Sequence, residues 1–256
     1  MLSAHSPLAT SGVRQVGSAA PLSICLATHN AHKVAELRSL LQQHAPTLAA
    51  GLRLLSLSEL GVHEAAVEDG SDCPSNAYKK ARHAAERTGL WSLADDSGLF
   101  VTALSGAPGV HSARYGGEPA EGQSQDARNR QVLLSALAQV PVAGRGAFFL
   151  CVLCLHPPVA AQAPAGAALF AEGRCRGHLL LAESGGGGFG YDPLFVPDAA
   201  ELAQAGLGSD RAGLSFGVLT SDEKNQLSHR TRALLALLPA LSLLQAPDSS
   251  ARLSSS

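Results

Sequence analysis

Two adjacent carboxylates, Asp95 and Asp96, are the side chains of this sequence best suited to metal or acid–base chemistry. They stand where an apolar run ends and a Ser97-Gly98 pair begins, so we predict a strand over residues 91–94 that leads into a turn. Burying two like charges side by side is costly unless a metal ion or a basic side chain compensates. Carboxylate oxygens favour hard cations such as Mg²⁺. A solvated turn is the alternative interpretation, since Asp, Ser and Gly are all common in turns.

A polar loop of residues 28–33 is a candidate phosphate site. It follows an apolar run at residues 22–27 and precedes apolar residues at helical spacing, which predicts a strand, a loop and a helix in that order. A loop at a helix N-terminus offers free backbone N–H groups and the positive end of the helix dipole. Lys33 in the first helical turn is unfavourable without a nearby anion, so we predict a bound phosphate. A solvated lysine is the alternative.

A basic group near the C-terminal end, Lys224, His229 and Arg230, is a second candidate for anion binding. A capping-box pattern at residues 220–223 predicts that a helix begins there. In one continuous helix Lys224 and His229 would lie about 140° apart around the axis. Ser228 is a good N-cap residue, so we predict that the helix breaks there and restarts. The break would let the three basic side chains converge on one ligand, whereas a solvated helix start is the alternative.

The glycine run of residues 185–190 contains the spacing G-x-G-x-x-G, yet its context differs from a dinucleotide fingerprint. That fingerprint follows a strand and opens a helix, whereas this run is followed by Tyr191-Asp192-Pro193. We therefore predict a loop that closes over a flat ligand, with Phe189 stacked on a base. The alternative is that Phe189 and Tyr191 are core residues beside a glycine hairpin.

The composition favours one globular domain over residues 21–245, with a flexible tail at 1–20 and a polar tail at 246–256. A net charge of −2 provides no basic field for nucleic acid, and no apolar run is long enough to span a membrane. Five cysteines, an odd number, indicate reduced thiols and a cytoplasmic location. Cys151 and Cys154 would face opposite sides of a strand, which argues against a zinc site.

The remaining pattern mixes strands and helices without a regular repeat, so the fold class is α/β or α+β with a mixed sheet. Helical spacing predicts helices at 76–88, 126–140 and 233–244. Apolar runs predict a strand at 148–155 and paired strands at 169–174 and 178–182, while 156–168 and 199–213 read as loops, the second with one helical turn.

Five segments taken together resemble one family, the inosine/xanthosine triphosphate pyrophosphatases, over residues 22–238. The segments match its patterns T-x-N-x-x-K at 28–33, A-D-D-S-G-L at 94–99, G-A-P-G-x-x-S-A-R-Y at 106–115, F-G-Y-D-P at 189–193 and S-H-R at 228–230. The resemblance implies an α/β fold with an elongated mixed central sheet flanked by helices, in two lobes with a nucleotide cleft between them. It also implies a homodimer that uses Mg²⁺ to hydrolyse ITP, dITP and XTP to the monophosphate and pyrophosphate.

The resemblance also assigns roles to individual residues. Asp96 would be the general base, and Glu68 and Asp96 would hold the metal, while Asp95 would shape the turn or support the metal. The implied substrate-binding residues are Thr28, His29, Asn30, Ala31, His32, Lys33, Ser97, Phe189, Gly190, Tyr191, Asp192, Lys224, His229 and Arg230. Residues 73–76 depart from the family pattern of an aromatic residue and a Glu before Asn-Ala, so the entry into that helix is expected to differ.

Two other functions remain to be weighed. A pyrophosphatase for modified pyrimidine nucleotides, as in the Maf-type proteins, would share the architecture, but the F-G-Y-D-P and S-H-R segments argue against it. A nucleotide-binding protein without catalysis is disfavoured because Lys33, Glu68 and Asp96 are all present.

Overall fold

A six-stranded mixed sheet forms the centre of the computed structural model, which describes residues 20–159 and 167–245. The strands are β1 (Leu22–Leu26), β2 (Leu52–Ser56), β3 (Trp91–Val101), β4 (Gly146–His156), β5 (Leu169–Leu179) and β6 (Phe195–Pro197). The described α-helices are α1 (Ala31–His44), α2 (Pro46–Ala50), α3 (Cys73–Thr88), α4 (Gln125–Ala136), α5 (Ala199–Gln204), α6 (Ser221–Leu227) and α7 (His229–Leu244). No helix in these two ranges is long and apolar enough to cross a membrane.

The sheet has the order β2-β1-β3-β4-β5-β6 and changes character at β3. Strand β1 pairs in parallel with β2 and β3, whereas β3, β4, β5 and β6 pair antiparallel in succession. The strands β3, β4 and β5 each have 11 residues and form the long middle of the sheet. The predicted mixed, elongated sheet is therefore present.

Helices cover the two faces of the sheet and divide the core. One face packs against α1 and α7 through a cluster that includes Leu37, Leu153 and Leu237. The other face packs against α3, whose buried stripe contains Ala77 and Ala81. Beyond these, a third cluster gathers α4, β6, α5 and α6 around the ends of β3, β4 and β5, and includes Leu133, Phe149, Phe195 and Phe216.

The predicted turn at the two aspartates is wrong. Strand β3 runs without a break from Trp91 to Val101, and Asp95 and Asp96 pair in antiparallel register with Leu153 and Val152 of β4. Turn propensity fails here because cations remote in sequence compensate the carboxylates, so the backbone can continue as a buried strand.

Other boundaries differ from the sequence pattern for local reasons. Residues 169–174 and 178–179 of the two predicted strands belong to the single strand β5, in which residues 175–177 continue the alternation of buried and exposed side chains, whereas residues 180–182 lie beyond its end. Helix α3 begins at Cys73, three residues earlier than predicted, because the Asp72 side chain accepts a hydrogen bond from the Ser75 backbone N–H and caps it. Helix α4 ends at Ala136, before the predicted stop at Pro141.

Two predictions about the chain's organisation can be compared with the structure, and others fall on residues that it does not describe. The helix break at Ser228 is confirmed: α6 ends at Leu227, and the Ser228 side chain accepts from the Thr231 backbone N–H as the N-cap of α7. The predicted segment 199–213 contains α5 and a 3₁₀ turn at Ser209–Arg211. Both predicted tails, except Ala20, and residues 160–166 of the predicted loop lie outside the described residues.

Candidate active site

Two adjoining cavities open beside the centre of β3. The carboxylate cavity, of about 270 Å³, is lined among others by Thr28, His29, Glu68, Lys80, Asp96 and Arg114. The aromatic cavity, of about 260 Å³, is lined among others by Phe149, Phe189, Tyr191, Asp192, Lys224 and His229. Asn30, Lys33, Ser97 and Ala113 line both cavities, so the two spaces share a wall.

Strand geometry separates the two aspartates. Successive side chains of a strand point to opposite faces, so Asp95 and Asp96 do not share one environment despite being adjacent. Asp95 faces the α1 and α7 side, where Lys33 and Arg230 contact it. Asp96 faces α3, where Lys80 contacts it. The like-charge repulsion expected from the sequence is thereby reduced, and each carboxylate has its own cationic partner.

Asp95 is the centre of a buried charge network. Its Oδ1 accepts from Lys33 Nζ at 2.5 Å and from Ser97 Oγ at 2.7 Å. Its Oδ2 accepts from Arg230 Nε at 2.5 Å and from the Cys151 thiol at 3.4 Å. Burial by itself would raise the pKa of Asp95, but the charges of Arg230 and Lys33 outweigh it and hold that pKa well below the ordinary value. Asp95 is therefore an ionised anchor for two cations.

This network changes the roles predicted for Asp95, Lys33 and Arg230. Asp95 does not shape a turn, because it lies within β3. Lys33 is held by Asp95, so its position in the first turn of α1 is compensated by a protein carboxylate rather than requiring a bound anion. Arg230 is 1% exposed and also donates to Glu36 Oε2 at 2.5 Å, so most of its hydrogen-bonding capacity serves the protein. It still borders the aromatic cavity, with its guanidinium 5.9 Å from the Phe189 ring centroid.

Asp96 has a different environment. Its Oδ1 accepts from Lys80 Nζ at 2.7 Å, and the same Nζ lies 3.5 Å from Glu68 Oε2. Burial raises the pKa of Asp96 above the ordinary value, although the Lys80 charge acts in the opposite direction. Asp96 Oδ2 is buried and has no protein partner. This oxygen is therefore free to accept a hydrogen bond or to ligate an ion.

The donor set around Asp96 fits a hard cation. Lys80 Nζ lies between the carboxylates of Asp96 and Glu68, which shows that these two groups together attract positive charge. The Asp96 carboxylate and the partly exposed Glu68 carboxylate supply the oxygen ligands that Mg²⁺ prefers. Within the described residues no group of three or more His, Cys, Asp or Glu side chains could hold a metal. Remaining ligands would then come from water and substrate, as is usual for Mg²⁺.

The loop before α1 differs from the predicted row of free N–H groups. Asn30 is the N-cap of α1, and its Oδ1 accepts from the backbone N–H groups of His32 and Lys33 at 2.9 and 3.2 Å. Thr28 Oγ1 accepts from the Asn30 N–H, and the His29 ring hydrogen-bonds to the Val62 carbonyl. The loop is thus fixed in shape, two of its amides are capped by Asn30, and four of its polar residues line the carboxylate cavity.

The aromatic cavity is built around Phe189. The Lys224 ammonium lies 4.4 Å from the Phe189 ring centroid and donates to Asp192 Oδ2 at 2.7 Å. The same carboxylate oxygen accepts from the Phe189 backbone N–H at 2.9 Å. The His32 ring also lies nearly parallel to the Phe189 ring, with centroids 6.1 Å apart. Ring, cation and carboxylate are therefore held in one fixed arrangement.

A buried aromatic stack forms another part of the wall of the aromatic cavity. The His229 ring lies 4.9 Å from the Phe149 ring at 12°, and its Nδ1 has no protein partner. Burial, followed by the Arg230 charge, holds the pKa of His229 well below the ordinary value, so the ring is neutral. Tyr191 is buried and donates from its hydroxyl to the Ser112 carbonyl, which makes it part of the wall. The neutral imidazole leaves one polar atom available to a ligand.

Two glycines allow the close approach that positions these walls. A Cβ at Gly98 would lie 2.3 Å from the Gly109 carbonyl oxygen, so this glycine lets the 3₁₀ segment Gly109–Arg114 pack on β3. A Cβ at Gly173 would lie 2.1 Å from the His229 carbonyl oxygen, so the start of α7 packs directly on β5. The sequence alone showed the glycines but not these neighbours.

Comparison with known families decides the classification. The model of the Ham1 family matches residues 24–240, far more than half of the 256 residues. The chain belongs to the Ham1 family. This match confirms the family resemblance predicted from the five sequence segments.

Individual Ham1-family relatives support the same conclusion. A dITP/XTP pyrophosphatase of Corynebacterium efficiens is 41% identical over 223 residues, which are 87% of this chain and 99% of that protein. One of Desulfotalea psychrophila is 44% identical over 211 residues, which are 82% of this chain and 81% of that protein. The solved structure of a HAM1 protein from Coxiella burnetii has a TM-score of 0.68 at 36% identity and covers 86% of this chain and 98% of that one. The α/β fold class is confirmed.

Several site residues of this Ham1-family protein carry no motif in the sequence. Lys80 lies four residues after the buried Asn76 in α3, so helical periodicity could have placed it near β3. Glu36 lies three residues after Lys33 in α1 and could have been found in the same way. Asp126 and Arg130 contact a loop 60 or more residues away, and no local pattern indicates that contact.

Proposed function

We propose that this Ham1-family protein is a nucleoside triphosphate pyrophosphatase that hydrolyses ITP, dITP and XTP to the monophosphate and pyrophosphate. The observation that carries the proposal is the junction of two unlike cavities, because Asn30, Lys33 and Ser97 line both. A nucleoside triphosphate has the same division, an anionic chain joined to a flat base. The relatives named dITP/XTP pyrophosphatase support these substrates.

The carboxylate cavity is suited to the triphosphate. Lys33, Lys80 and Arg114 line it and supply the positive charge that phosphoryl transfer requires. Thr28, His29, Asn30 and Lys33 of the loop before α1 line this cavity, whereas Ala31 and His32 border neither cavity. Because the loop is fixed by Asn30, binding would cost little additional ordering. Ser97 would meet the substrate where the two cavities join.

Asp96 is the proposed general base. Its unpartnered Oδ2 would take a proton from a water molecule, whose oxygen bonds to the α-phosphorus as the α–β P–O bond breaks and pyrophosphate leaves. A pKa raised by burial makes this carboxylate a stronger base than an ordinary aspartate. Lys80, paired with Asp96, would keep the base ionised and lies in the same cavity as the phosphates.

Mg²⁺ is the cofactor in this proposal, and Asp96 with Glu68 are the residues that would hold it. When bound, the ion would neutralise charge on the phosphate oxygens. The residues present fit this role because both are oxygen donors that already share one cation, Lys80. Asp96 Oδ1 and Glu68 would hold the ion, which leaves Asp96 Oδ2 to take the proton.

The aromatic cavity is suited to the base. Phe189 would stack on it, a contact worth about 1–3 kcal/mol, with Gly190, Tyr191 and Asp192 forming the adjacent wall. Lys224 and the neutral His229 supply a donor and a free ring nitrogen at this wall, and Arg230 lies behind them. Polar groups of this kind discriminate strongly, because a mismatched base leaves them buried and unpaired.

The proposal further includes a homodimer and a cytoplasmic location. All five cysteines are free and buried, which suits a reducing compartment. Size-exclusion chromatography with light scattering measures the oligomeric state, and a monomeric mass would remove the dimer from the proposal.

Assaying pyrophosphate release from ITP, XTP, ATP and GTP with and without Mg²⁺ tests the function. We expect release from ITP and XTP that needs the metal, with much slower ATP and GTP hydrolysis. Asp96→Asn should abolish turnover while Glu172→Gln, an exposed carboxylate on β5, should not change it. Release of orthophosphate alone, or equal rates on ATP, would overturn the proposal.

A further inference from the structure

Helix α4 presents polar side chains to the glycine-rich loop of residues 185–190. Asp126 and Arg130 are four residues apart and therefore lie on the same helix face. The Gly190 backbone N–H donates to Asp126 Oδ2 at 2.7 Å, and Arg130 Nη1 donates to the Gly190 carbonyl at 2.8 Å. The two side chains thus hold Gly190 through both its N–H and its carbonyl group.

Arg130 also reaches the other end of the loop. Its Nε lies 2.9 Å from Glu183 Oε1, and Glu183 lies two residues before Gly185, the first glycine of the run. One guanidinium therefore joins Glu183, two residues before the loop, to Gly190, the residue that ends it. The Arg130 side chain is 15% exposed, so its pairing is partly shielded from water.

A glycine-rich loop needs such external contacts. Glycine loses more conformational freedom on folding than any other residue, and this loop contains five glycines in six positions. Gly190 has a φ of 61°, in the left-handed region that favours glycine, and Gly186 has no neighbouring atom near its Cβ position. Bonds from α4 therefore restrict a segment whose own side chains contribute little.

The loop positions Phe189, the residue next to Gly190. Asp126 borders the aromatic cavity together with Phe189, so its hydrogen bond to Gly190 lies at the cavity wall. On the other side, Asp192 accepts from the Phe189 N–H. The peptide units on both sides of Phe189 are therefore anchored, one by a carboxylate of its own segment and one by α4.

We propose that Asp126 and Arg130 are positioning residues that fix the loop of residues 185–190 so that Phe189 faces the nucleobase. The inference rests on the proposed function, because it assumes that a base occupies the aromatic cavity. Neither side chain borders the carboxylate cavity around Asp96, so both act on base binding through the loop.

Steady-state kinetics with ITP, together with product inhibition, test this role. Asp126→Ala and Arg130→Met should each raise the KM about tenfold, which corresponds to about 1.4 kcal/mol, and leave kcat within about twofold. The inhibition constant of IMP should rise in parallel, while that of pyrophosphate, which carries no base, should not change. Gln131→Ala, an exposed neighbour on the same helix, is the matched control and should equal the wild type.

A conservative variant separates positioning from loss of structure. Asp126→Asn keeps an oxygen that can accept from the Gly190 N–H, so its KM should lie closer to the wild-type value than that of Asp126→Ala. The proposal would be overturned if the inhibition constants of IMP and pyrophosphate rose equally. It would also be overturned if Asp126→Asn and Asp126→Ala had equal KM values. Unchanged KM values in both Asp126→Ala and Arg130→Met would do the same.

Amide hydrogen exchange tests the loop contact without any ligand. Residues 185–190 should exchange faster in Asp126→Ala than in the wild type or in Gln131→Ala, and an unchanged rate would overturn the proposed anchoring. If the wild type neither hydrolyses ITP nor binds IMP, the proposed function fails, and the exchange result still decides whether α4 fixes the loop.

Discussion

Replacing Arg230 with methionine tests whether the buried charge network supports the whole site. Arg230 is 1% exposed and donates hydrogen bonds of 2.5 Å to both Asp95 and Glu36. Removing one partner of a buried ion pair costs about 3–5 kcal/mol, because the remaining charge stays buried and unpaired. Lys33 still contacts Asp95 in this variant, so we expect the lower value, about 3 kcal/mol of the free energy of unfolding.

Urea unfolding followed by the fluorescence of Trp91 measures this loss. Trp91 is the single tryptophan of the chain and the first residue of β3, so its signal reports on the strand that carries both aspartates. Arg174→Met is the matched control, because Arg174 is half exposed and pairs with Glu172 at the surface. Such a pair contributes about 0–1 kcal/mol.

A double-mutant cycle with Asp95→Asn isolates the pair itself. If Arg230 and Asp95 act together, the double variant should be more stable than the sum of the two single losses predicts, by about 1–3 kcal/mol. A loss below about 1 kcal/mol in Arg230→Met, or strict additivity in the cycle, would refute the reasoning.

The same variant has a pH signature. The folded-state pKa of Asp95 is well below its ordinary value, since Arg230 and Lys33 outweigh the effect of burial. A lowered pKa contributes stability above the unfolded-state pKa, and this contribution is lost as the pH falls through the folded-state value. Arg230→Met removes the largest of the lowering charges, so the stability difference between wild type and variant should begin to shrink below about pH 4 and continue to shrink toward the folded-state pKa of Asp95.

Three further predictions concern the two cavities. Burial raises the pKa of Asp96, and the charge of Lys80 acts in the opposite direction. Lys80→Met should therefore move the acidic limb of the pH profile of kcat/KM for ITP to higher pH. A limb that does not move would contradict the assignment of Asp96 as the base. Gly173→Ala would place a Cβ against the His229 carbonyl and should cost about 1–3 kcal/mol in urea unfolding, whereas Gly186→Ala, with open space, should cost under about 0.5 kcal/mol. Phe189→Ala should weaken IMP binding by about 1–3 kcal/mol in calorimetry, and an equal loss for pyrophosphate would show that its effect is not confined to the base.

Local features of the site could be predicted because their causes lie within a few residues. The break between α6 and α7 follows from the N-cap chemistry of Ser228, and α1 follows from the spacing of Val34, Leu37 and Leu40. The family resemblance rests on short segments in a fixed order, so it too could be read from the sequence and the family match confirms it.

Features that depend on distant contacts could not be predicted. Lys33 and Arg230 lie 62 and 135 residues from Asp95 in the sequence, so nothing local showed that a buried strand could carry this carboxylate. Turn propensity was the strongest local signal at Asp95-Asp96-Ser97-Gly98, and tertiary charge pairing overrode it. The contacts of α4 with the glycine-rich loop were missed for the same reason.

Strand alternation explains how two neighbouring carboxylates acquire different chemistry. On one face of β3, two cations lower the pKa of Asp95 and keep it ionised, and in return Asp95 fixes Lys33 and Arg230 at the edge of the cavities. On the other face, burial raises the pKa of Asp96 and leaves one of its oxygens without a partner. A proton acceptor needs a free oxygen, and a raised pKa makes it a stronger base, so these observations favour Asp96 rather than Asp95 as the proposed base. The positive charge that compensates the two adjacent carboxylates is therefore supplied by side chains from α1, α3 and α7, so the proposed Mg²⁺ would serve the substrate rather than the fold.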